Sequence, residues 1–404
     1  MSDAPVAKSQ TQRPPARFRA ALAVLKGAWT CGVLTITLPS GETFRLEGAG
    51  PGPGGHLIIR DYAFIRRVMA AGDIGFGEAF MAGEWESPDL SALLEALTWN
   101  FDRLELLVRG GKIFGAFQRL IDGFRRNSRS GARRNIHAHY DLGNAFFARW
   151  LDPSMTYSSG IFESGKETLA EAQRTKYARL AEQIDLRPGH TVLEIGCGWG
   201  GFAEFAARET GARVTAITIS EAQHAFARQR MFEQGLAERV DVRLMDYRDV
   251  HGRFDRVASI EMFEAVGEAY WPAYFAKIRD VLGPGGRAGL QIITIRDELF
   301  KVYRSRSDFL RKYIFPGGLL PSETRLREAI GRAGLEWRAV SRFGEAYAQT
   351  LDRWAETFEA AWSDIRALGF DERFRRLWRF YLSYCEAGFR AGRIDVIQLG
   401  LSRS

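Results

Sequence analysis

The glycine-rich run VLEIGCGWGG at residues 192–201 carries the clearest chemical signal in the sequence. Glycine allows tight turning and lets a ligand approach the backbone closely. Because dinucleotide-binding folds share such loops, the glycines alone identify no cofactor. The spacing E-x-G-x-G-x-G-G is typical of methyltransferases, in which the loop binds an amino-acid tail and not a pyrophosphate. We therefore expect an S-adenosylmethionine site with the loop residues Glu194, Gly196, Gly198 and Gly200.

Two later segments agree with that cofactor. The next predicted strand ends at residues 218–220, without the Asp or Glu that binds a ribose in NAD-binding folds. After the third strand comes MDYRD at 245–249. Asp246 can accept a hydrogen bond from the adenine amino group, and the Tyr247 ring can flank the base. Because these motifs agree in order and spacing, they predict an S-adenosylmethionine-dependent methyltransferase.

These motifs lie where strand-like and helical runs alternate, after residue 136. The strand-like runs cover residues 191–196, 213–220, 240–246, 254–262 and 286–295. Helical stretches such as GFAEFAARETG separate them. The alternation predicts an α/β fold, a Rossmann-like class I methyltransferase domain with a mainly parallel sheet. Ligands of such sheets bind at the carboxyl ends of the strands.

A smaller α+β module precedes that domain. VLTITLPSGETFRLEG at 33–48 alternates apolar and polar residues around a turn, which predicts a β-hairpin. PGPGG at 51–55 is typical of a loop, and residues 57–72 and 91–108 carry apolar residues at helical spacing. The expected divisions are a disordered tail at 1–16, an N-terminal lipid- or membrane-associated α+β domain at 17–115, a basic linker at 116–135 and the methyltransferase domain at 136–404.

The net charge of +7 suggests an anionic partner. Arginines cluster twice, at 125–134 and at 373–379. Solvated charge is the simplest explanation of such clusters, whereas anionic lipid headgroups would gain about 1 kcal/mol per basic residue near the surface. The sequence has no recognisable nucleic-acid-binding motif, so nucleic acid is not an expected partner. We expect peripheral contact with an anionic membrane surface.

The sequence gives no sign of export or of a membrane span. No apolar run approaches the roughly 18 residues that cross a bilayer, and the polar N-terminus lacks the apolar core of a signal peptide. Cys31, Cys197 and Cys385 are too far apart for a disulfide framework, which favours a reducing cytosol. His137 and His139 have no Cys or acid to complete a zinc site, so no metal is predicted. The expected location is cytoplasmic, at the inner membrane face.

Long motifs in a fixed order resemble the cyclopropane fatty acid synthase family over nearly the whole chain. Besides the glycine-rich run and DYRD, they are GFGEAFMAGEWESPDLSALL at 75–94, HYDLGNAFFARWLDPSMTYSSGIFE at 139–163, KYIFPGGLLPS at 312–322 and AGFRAGRIDVIQLG at 387–400. The resemblance implies methyl transfer from S-adenosylmethionine to a cis double bond of an acyl chain, commonly within a membrane phospholipid. Matching positions add to the predicted cofactor site Tyr157, Ser158, Thr218, Ser220 and Gln223.

The resemblance also implies a set of catalytic residues. In ring-forming members a bound bicarbonate is the base, held by a cysteine, a glutamate, a histidine, a tyrosine and a backbone isoleucine. Glu264, Tyr347 and Ile293 match the glutamate, the tyrosine and the isoleucine. Ser159 stands at the cysteine's position and Gln291 at the histidine's. Serine and glutamine still offer hydrogen bonds to an oxyanion, so bicarbonate remains a candidate ligand.

The two exchanged residues affect the expected product. Neither Ser159 nor Gln291 supplies an imidazole that accepts a proton near neutral pH. If the cation left by methyl transfer loses a neighbouring proton, the product is a methyl-branched alkene, which a partner redox enzyme would process further. We favour this product over the alternative, ring formation on the same substrate. N-methylation of a small amine and lipid binding by a degenerate site are more distant alternatives. A homodimer is left open, and Glu261 is expected to border the cofactor.

Overall fold

The computed structural model describes residues 14–108 and 142–403 of the 404-residue chain. Packing divides the described residues into two compact units. The first comprises 14–108 together with Asp371–Ala391, and the second comprises 142–370 together with 392–403. All the catalytic and cofactor-binding residues predicted from the sequence belong to the second unit.

A four-stranded sheet organises the first unit. Its strands are β1 (Cys31–Thr37), β2 (Thr43–Glu47), β3 (Gly50–Ile59) and β4 (Trp85–Glu86). They lie in the order β2-β1-β3-β4. The first two form the predicted antiparallel hairpin, with Thr37 opposite Thr43 beside the turn. Burial alternates along β1, as expected of a strand with one face toward the core.

The run PGPGG is not the loop that the sequence predicted. Residues 51–55 lie within β3, which pairs in parallel with β1. A Cβ on Gly52 would lie only 2.9 Å from the backbone nitrogen of Gly32. The glycines therefore permit a close approach of two strands. Glycine serves this purpose within sheets as well as forming turns. The helix predicted from residue 57 also begins later, at Ala63, because residues 57–59 complete β3.

One helix of the first unit comes from near the C-terminus. The Phe380 ring of helix Glu372–Arg390 lies 5.8 Å from the Phe80 ring and 6.3 Å from the Trp85 ring. Apolar packing thus groups this helix with the N-terminal strands, which differs from the expected assignment of all of 136–404 to one domain. The other helices of the unit are Ala16–Ala28, Ala63–Met81, Leu90–Trp99 and Phe101–Val108.

Of the two arginine clusters, the structure describes the one at 373–379. The expected linker at 116–135, the arginine cluster at 125–134 and both His137 and His139 lie outside the described residues. In the second cluster, Arg376 forms an ion pair with Glu86 at 3.0 Å. This arginine therefore helps to fasten the helix within its unit.

A seven-stranded sheet organises the second unit. Its strands are β5 (Thr191–Ile195), β6 (Arg213–Thr218), β7 (Val240–Leu244), β8 (Phe254–Ile260), β9 (Leu282–Ile295), β10 (Leu335–Arg342) and β11 (Ile394–Arg403). Their order is β10-β11-β9-β8-β5-β6-β7. The strands from β9 to β7 pair in parallel, and β11 pairs antiparallel with β9 and β10. The predicted α/β fold with a mainly parallel sheet is confirmed.

Helices cover this sheet as its burial requires. Val192 and Leu193 of β5 are fully buried, and so is Ala203 on the following helix. Strands buried on both faces are characteristic of parallel sheets flanked by helices. The helices of the unit are Asn144–Phe147, Leu169–Gln183, Gly201–Glu209, Glu221–Glu233, Trp271–Val281, Asp297–Tyr303, Phe309–Tyr313, Glu323–Arg332, Gly344–Ala360 and Trp362–Ala367.

The sequence did not predict the two antiparallel strands. β10 is largely exposed and polar, with the burial pattern of an edge strand. β11 is almost continuously buried between its neighbours. Its insertion places Gln398 directly opposite Gln291 of β9. A third strand thereby reaches the region of the predicted catalytic residues.

The part of the chain that the structure describes contains neither a membrane-spanning helix nor a metal-binding cluster. Of the helices described, none is long and apolar enough to cross a membrane. Within the same residues, no group of three or more His, Cys, Asp or Glu side chains is arranged to hold a metal ion.

Candidate active site

The glycine-rich run leaves the carboxyl end of β5 and enters helix Gly201–Glu209. Gly196, Gly198 and Gly200 have positive φ angles of 82°, 52° and 88°, which residues with a side chain rarely adopt. A Cβ on Gly196 would lie 2.6 Å from the Met262 side chain, whereas one on Gly198 would meet no atom within 4 Å. The loop is therefore packed on one side and open on the other, as the cradle of a ligand must be.

Glu194 lies at the end of β5, directly before this loop, and only 3% of it is exposed. Burial raises its pKa to about 8, an effect that the Lys176 ammonium partly offsets. Its Oε2 atom has no hydrogen-bond partner among the described residues. Such an unpaired buried acceptor costs about 1–3 kcal/mol, which a donor on a bound ligand would offset. The ammonium of the amino-acid tail of S-adenosylmethionine is such a donor, so these residues fit that cofactor.

Three predicted cofactor-binding residues follow the neighbouring strand, β6. Thr218 Oγ1 donates to Gln223 Oε1 at 2.8 Å. Ser220 caps helix Glu221–Glu233, because its Oγ accepts from the backbone nitrogen of Gln223 at 3.3 Å. The structure brings the three together at a helix N-terminus, where they satisfy one another. Their contact with a cofactor stays a prediction.

Asp246 and Tyr247 follow the third strand of this group, β7. Arg248 binds both carboxylate oxygens of Asp246, at 2.8 and 2.6 Å. The Tyr247 ring packs edge-on against Tyr274, with 5.3 Å between ring centroids. The backbone nitrogen of Arg248 also donates to Asp246, at 3.0 Å, and contact of this carboxylate with an adenine amino group stays a prediction. Since β5, β6 and β7 are adjacent, the three predicted groups share one edge of the sheet.

Helix Leu169–Gln183 holds the segment that contains Tyr157 and Ser158. Gln173 Nε2 donates to the backbone oxygen of Ser158 at 2.8 Å, and Lys176 Nζ donates to Ser158 Oγ at 2.5 Å. The Tyr157 ring lies in an aromatic group, 5.2–5.7 Å from the rings of Phe147, Trp150 and Trp354. Aromatic rings therefore surround one side of this part of the site.

Lys176 is a charged group of the site that the sequence reasoning missed. Its side chain is fully buried. Burial lowers the pKa of Lys176 to about 7, while carboxylates, Glu261 first and Glu194 among the others, act in the opposite direction. Ala172 and Leu180, four residues before and after it, are also fully buried. A lysine on the apolar face of an amphipathic helix was the signal available in the sequence.

Glu261, the residue after β8, is where three predicted catalytic residues meet. Its Oε1 accepts from the backbone nitrogen of Ser159 at 2.9 Å and from Gln291 Nε2 at 2.7 Å. Its Oε2 accepts from the Tyr347 hydroxyl at 2.6 Å. Burial raises the pKa of Glu261, while the Tyr347 hydrogen bond and the Lys176 charge lower it. From the sequence, Glu261 was expected only beside the cofactor, and its place at the centre of this cluster was not predicted.

The amide of Gln291 is fully buried and fixed at both ends. Its Oε1 accepts from Gln398 Nε2 at 3.0 Å, while its Nε2 donates to Glu261. Gln398 Nε2 also lies 3.1 Å from the backbone oxygen of Lys176, to which it donates. Because the sequence did not predict β11 as a strand, the part played by Gln398 could not be foreseen.

Ser159 contributes its backbone and not its hydroxyl to this cluster. Its Oγ donates to the backbone oxygen of Gly160 at 2.8 Å. The contact with Glu261 comes from the backbone nitrogen of Ser159, which any residue type except proline would provide. Serine in place of the family's cysteine at this position therefore leaves the backbone donor to Glu261 unchanged.

Glu264 and Ile293, which the resemblance connects with one bound anion, are instead hydrogen-bonded directly to each other. Glu264 Oε1 accepts from the backbone nitrogen of Ile293 at 2.6 Å. Its Oε2 is buried and has no hydrogen-bond partner among the described residues. Burial raises the pKa of Glu264 to about 8, and the charge of Glu261 adds to the effect. Of these two buried carboxyl groups, Glu261 receives three hydrogen bonds and Glu264 one, which favours the charged form at Glu261.

Known proteins resemble this chain in sequence and in fold. Residues 127–399 match the family described as mycolic acid cyclopropane synthetase. Tuberculostearic acid methyltransferase UfaA1 of Mycobacterium tuberculosis is 40% identical over 382 residues, which cover 92% of this chain and 88% of that protein. Cyclopropane-fatty-acyl-phospholipid synthase of Escherichia coli K12 is 35% identical over 370 residues, 89% of this chain and 90% of that protein.

A solved structure extends the similarity to the cofactor. The crystal structure of mycolic acid cyclopropane synthase CmaA1 complexed with SAH and CTAB superposes with a TM-score of 0.63 and 32% identity. The match covers 67% of this chain and 97% of that one. SAH is what S-adenosylmethionine becomes when its methyl group is transferred, in agreement with the glycine cradle and the unpaired Glu194 acceptor. The chain therefore belongs to the mycolic acid cyclopropane synthetase family, and it is an S-adenosylmethionine-dependent methyltransferase of fatty acyl chains.

Proposed function

We propose that the enzyme methylates the cis double bond of unsaturated acyl chains in membrane phospholipids and releases a methyl-branched unsaturated acyl chain. The supporting observation is the buried amide of Gln291, at the position where ring-forming relatives have histidine. It donates to Glu261 and accepts from Gln398. None of the hydrogen bonds to Glu261, Glu264 or Gln291 within the described residues comes from a histidine. An amide does not accept a proton near neutral pH.

The reaction requires a site that stabilises a carbocation and shields it from water. When bound, S-adenosylmethionine supplies an electrophilic methyl group, whose transfer to one alkene carbon leaves a positive charge on the other. The Glu261 carboxylate and the rings of Tyr157 and Trp354 provide the anionic and π-rich surroundings that stabilise such a charge. Burial excludes the water that would capture the cation. Loss of a proton from a neighbouring carbon of the acyl chain then gives the branched alkene.

The choice of a phospholipid substrate has its own support. The Escherichia coli relative is named for a fatty-acyl-phospholipid, and the net charge of +7 suits an anionic surface. In the first unit, Met69, Trp99 and Val24 expose 65%, 49% and 48% of their surface, so apolar side chains are available for lipid contact. Peripheral binding at the inner membrane face and a partner redox enzyme for the branched alkene belong to the same proposal.

A deuterium label distinguishes the two candidate products. Purified enzyme is incubated with S-adenosylmethionine carrying a trideuterated methyl group and with vesicles of unsaturated phospholipid. The branched alkene formed by loss of a neighbouring proton keeps all three deuterium atoms, whereas ring closure removes one of them. Mass spectrometry counts the label, and NMR of the acyl chains confirms the structure. Loss of one deuterium together with cyclopropane signals would overturn the proposed product.

Ring formation on the same substrate is the second candidate. The similarity to a cyclopropane-fatty-acyl-phospholipid synthase over 89% of this chain favours it. The same label experiment decides between the two. Parallel incubations with soluble amines in place of vesicles test the more distant alternative of N-methylation, for which we expect no label transfer.

A further inference from the structure

The donors expected to hold an external anion are already bound to carboxylates of the chain. The backbone nitrogen of Ser159, Gln291 Nε2 and the Tyr347 hydroxyl all donate to Glu261, at 2.9, 2.7 and 2.6 Å. The backbone nitrogen of Ile293 donates to Glu264 at 2.6 Å. Of the five positions that the family resemblance connects with bicarbonate, four therefore already donate to an internal carboxylate, and the fifth, Glu264, is one of those carboxylates.

The Glu261 carboxylate has the form of the anion that it would replace. Bicarbonate and a carboxylate both present two oxygens of a planar group to the same set of donors. Oε1 of Glu261 accepts two hydrogen bonds and Oε2 accepts one. With two acceptor positions on each oxygen, Oε2 retains one position for a proton. A second anion would have to displace these donors and would lie beside Glu261, where burial leaves like charges weakly screened.

The backbone at Glu261 indicates that the side chain has a specific use. Its φ angle is 48°, a region that residues other than glycine rarely adopt. Residues in such conformations are strained, persist only where the surroundings impose them, and cluster at active sites. Glycine would relieve this strain. A glutamate held there by three hydrogen bonds therefore points to a function for its carboxylate.

We propose that Glu261 is the general base of the reaction and makes bicarbonate unnecessary, an inference that rests on the proposed acyl-chain methylation. Methyl transfer leaves a cation on one acyl carbon. Oε2 of Glu261 then removes a proton from the carbon beside the cation, and the electron pair of that C–H bond becomes the new double bond. Glu261 becomes a neutral carboxylic acid and returns its proton to solvent when the product leaves. No oxidant or reductant takes part in this step.

Chemical rescue tests the proposal. The variants are Glu261→Gly, which removes the carboxylate and relieves the backbone, and Glu261→Gln, which fills the same space without a base. Glu209→Gln is the matched control, since that carboxylate pairs with Arg174 at the surface. Methyl transfer to phospholipid vesicles is measured in buffer freed of carbon dioxide and again after addition of bicarbonate or formate. Calorimetric binding of S-adenosylmethionine reports on folding and on the cofactor site.

The expected results follow from the general-base role. The unaltered enzyme and Glu209→Gln keep their full rate without bicarbonate. Both Glu261 variants lose roughly a hundredfold or more of the rate, the usual contribution of a general base, but still bind the cofactor. Formate or bicarbonate restores at least about tenfold of the rate to Glu261→Gly, because the small anion occupies the vacated donors. It restores nothing to Glu261→Gln, whose amide blocks the space.

Two outcomes would overturn the proposal. The first is loss of activity by the unaltered enzyme when bicarbonate is removed, a result that needs no variant to fold. The second is an unchanged rate in Glu261→Gln. The product is identified in the same samples by the deuterium label. A cyclopropane product with turnover that needs Glu261 and no bicarbonate would overturn the branched product alone, while absence of any lipid methylation would overturn the proposed function itself.

Discussion

Gln291 Nε2 donates to Glu261 Oε1 at 2.7 Å, while Gln291 Oε1 accepts from Gln398, so the orientation of the amide is fixed. The three residues come from β9, from the end of β8 and from β11. This arrangement joins the candidate base to the centre of the sheet. It also makes the effect of changing any one of the three side chains predictable.

Gln291→Leu should destabilise the enzyme as well as slow it. Leucine has a similar size but leaves Gln398 Nε2 without one acceptor and Glu261 without one donor. Unsatisfied buried polar groups of this kind cost about 1–3 kcal/mol each. We expect the free energy of unfolding, measured by urea titration, to fall by roughly that amount. In the double variant with Gln398→Leu the two losses should not add, because both variants break the same contact; additive losses would contradict the linkage.

Tyr347→Phe should shift the pH dependence of the rate. The Tyr347 hydroxyl lowers the pKa of Glu261 by donating to it, and the Lys176 ammonium acts in the same direction. Removing the hydroxyl raises that pKa, so a larger share of the base is protonated at low pH. The acidic limb of the rate profile should move to higher pH, with little change at the alkaline plateau. Tyr303→Phe is the control, since that hydroxyl accepts from Leu320; identical profiles for the two variants would contradict the assignment.

Glu264→Gln should become more stable than the unaltered enzyme as the pH rises. Burial raises the pKa of Glu264 to about 8 from an ordinary 4.5. Its favourable contribution to folding is therefore complete below about pH 4.5 and is lost as the pH rises through 8, by at most about 1.4 kcal/mol per pH unit. Glutamine resembles the neutral acid and has no such dependence.

A comparison of the unaltered enzyme with Glu264→Gln isolates the contribution of Glu264 to the pH dependence of stability. Glu194, whose burial also raises its pKa to about 8, contributes a similar trend to both, so only the difference between their unfolding free energies is informative. That difference should grow in favour of Glu264→Gln from about pH 5 to pH 8. Parallel curves from thermal or urea unfolding would show that Glu264 titrates normally.

Glu194→Gln should weaken cofactor binding while leaving the fold intact. Its buried Oε2 has no partner among the described residues, and a charged ligand group would gain about 1.5–3 kcal/mol from it. The corresponding loss of affinity for S-adenosylmethionine is about tenfold to a hundredfold. Calorimetry measures it directly, with Glu209→Gln as the surface control. Equal affinity in the two variants would place the amino-acid tail elsewhere.

The sequence predicted the parallel strands and the hairpin because their periodicity is local. Each of the five strand-like runs predicted in the second unit corresponds to a strand. The hairpin turn after Thr37 is also where it was expected. The strand that contains Gly52 was missed, because the same glycines serve in turns and in closely packed strands. The use of those glycines depends on β1, a partner that local reasoning does not supply.

The site was predictable where a motif identifies its residues and not where long-range pairing creates it. Gly196, Glu264 and Tyr347 were found from motifs and from the resemblance. Glu261 was found too, but its central position depends on donors that lie 30, 86 and 102 residues away along the chain. Gln398 reaches Gln291 only because β11 inserts next to β9. No spacing within the sequence reveals a register between strands so far apart.

The position of helix Glu372–Arg390 near the C-terminus affects how the first unit folds during translation. Phe380 covers aromatic residues that a ribosome makes very early, among them Phe80 and Trp85. During translation these rings remain without that cover until almost the whole chain has emerged. The N-terminal unit is therefore the first to begin and among the last to finish folding. A nascent chain halted before residue 371 would expose an apolar face that promotes aggregation and that a chaperone would bind.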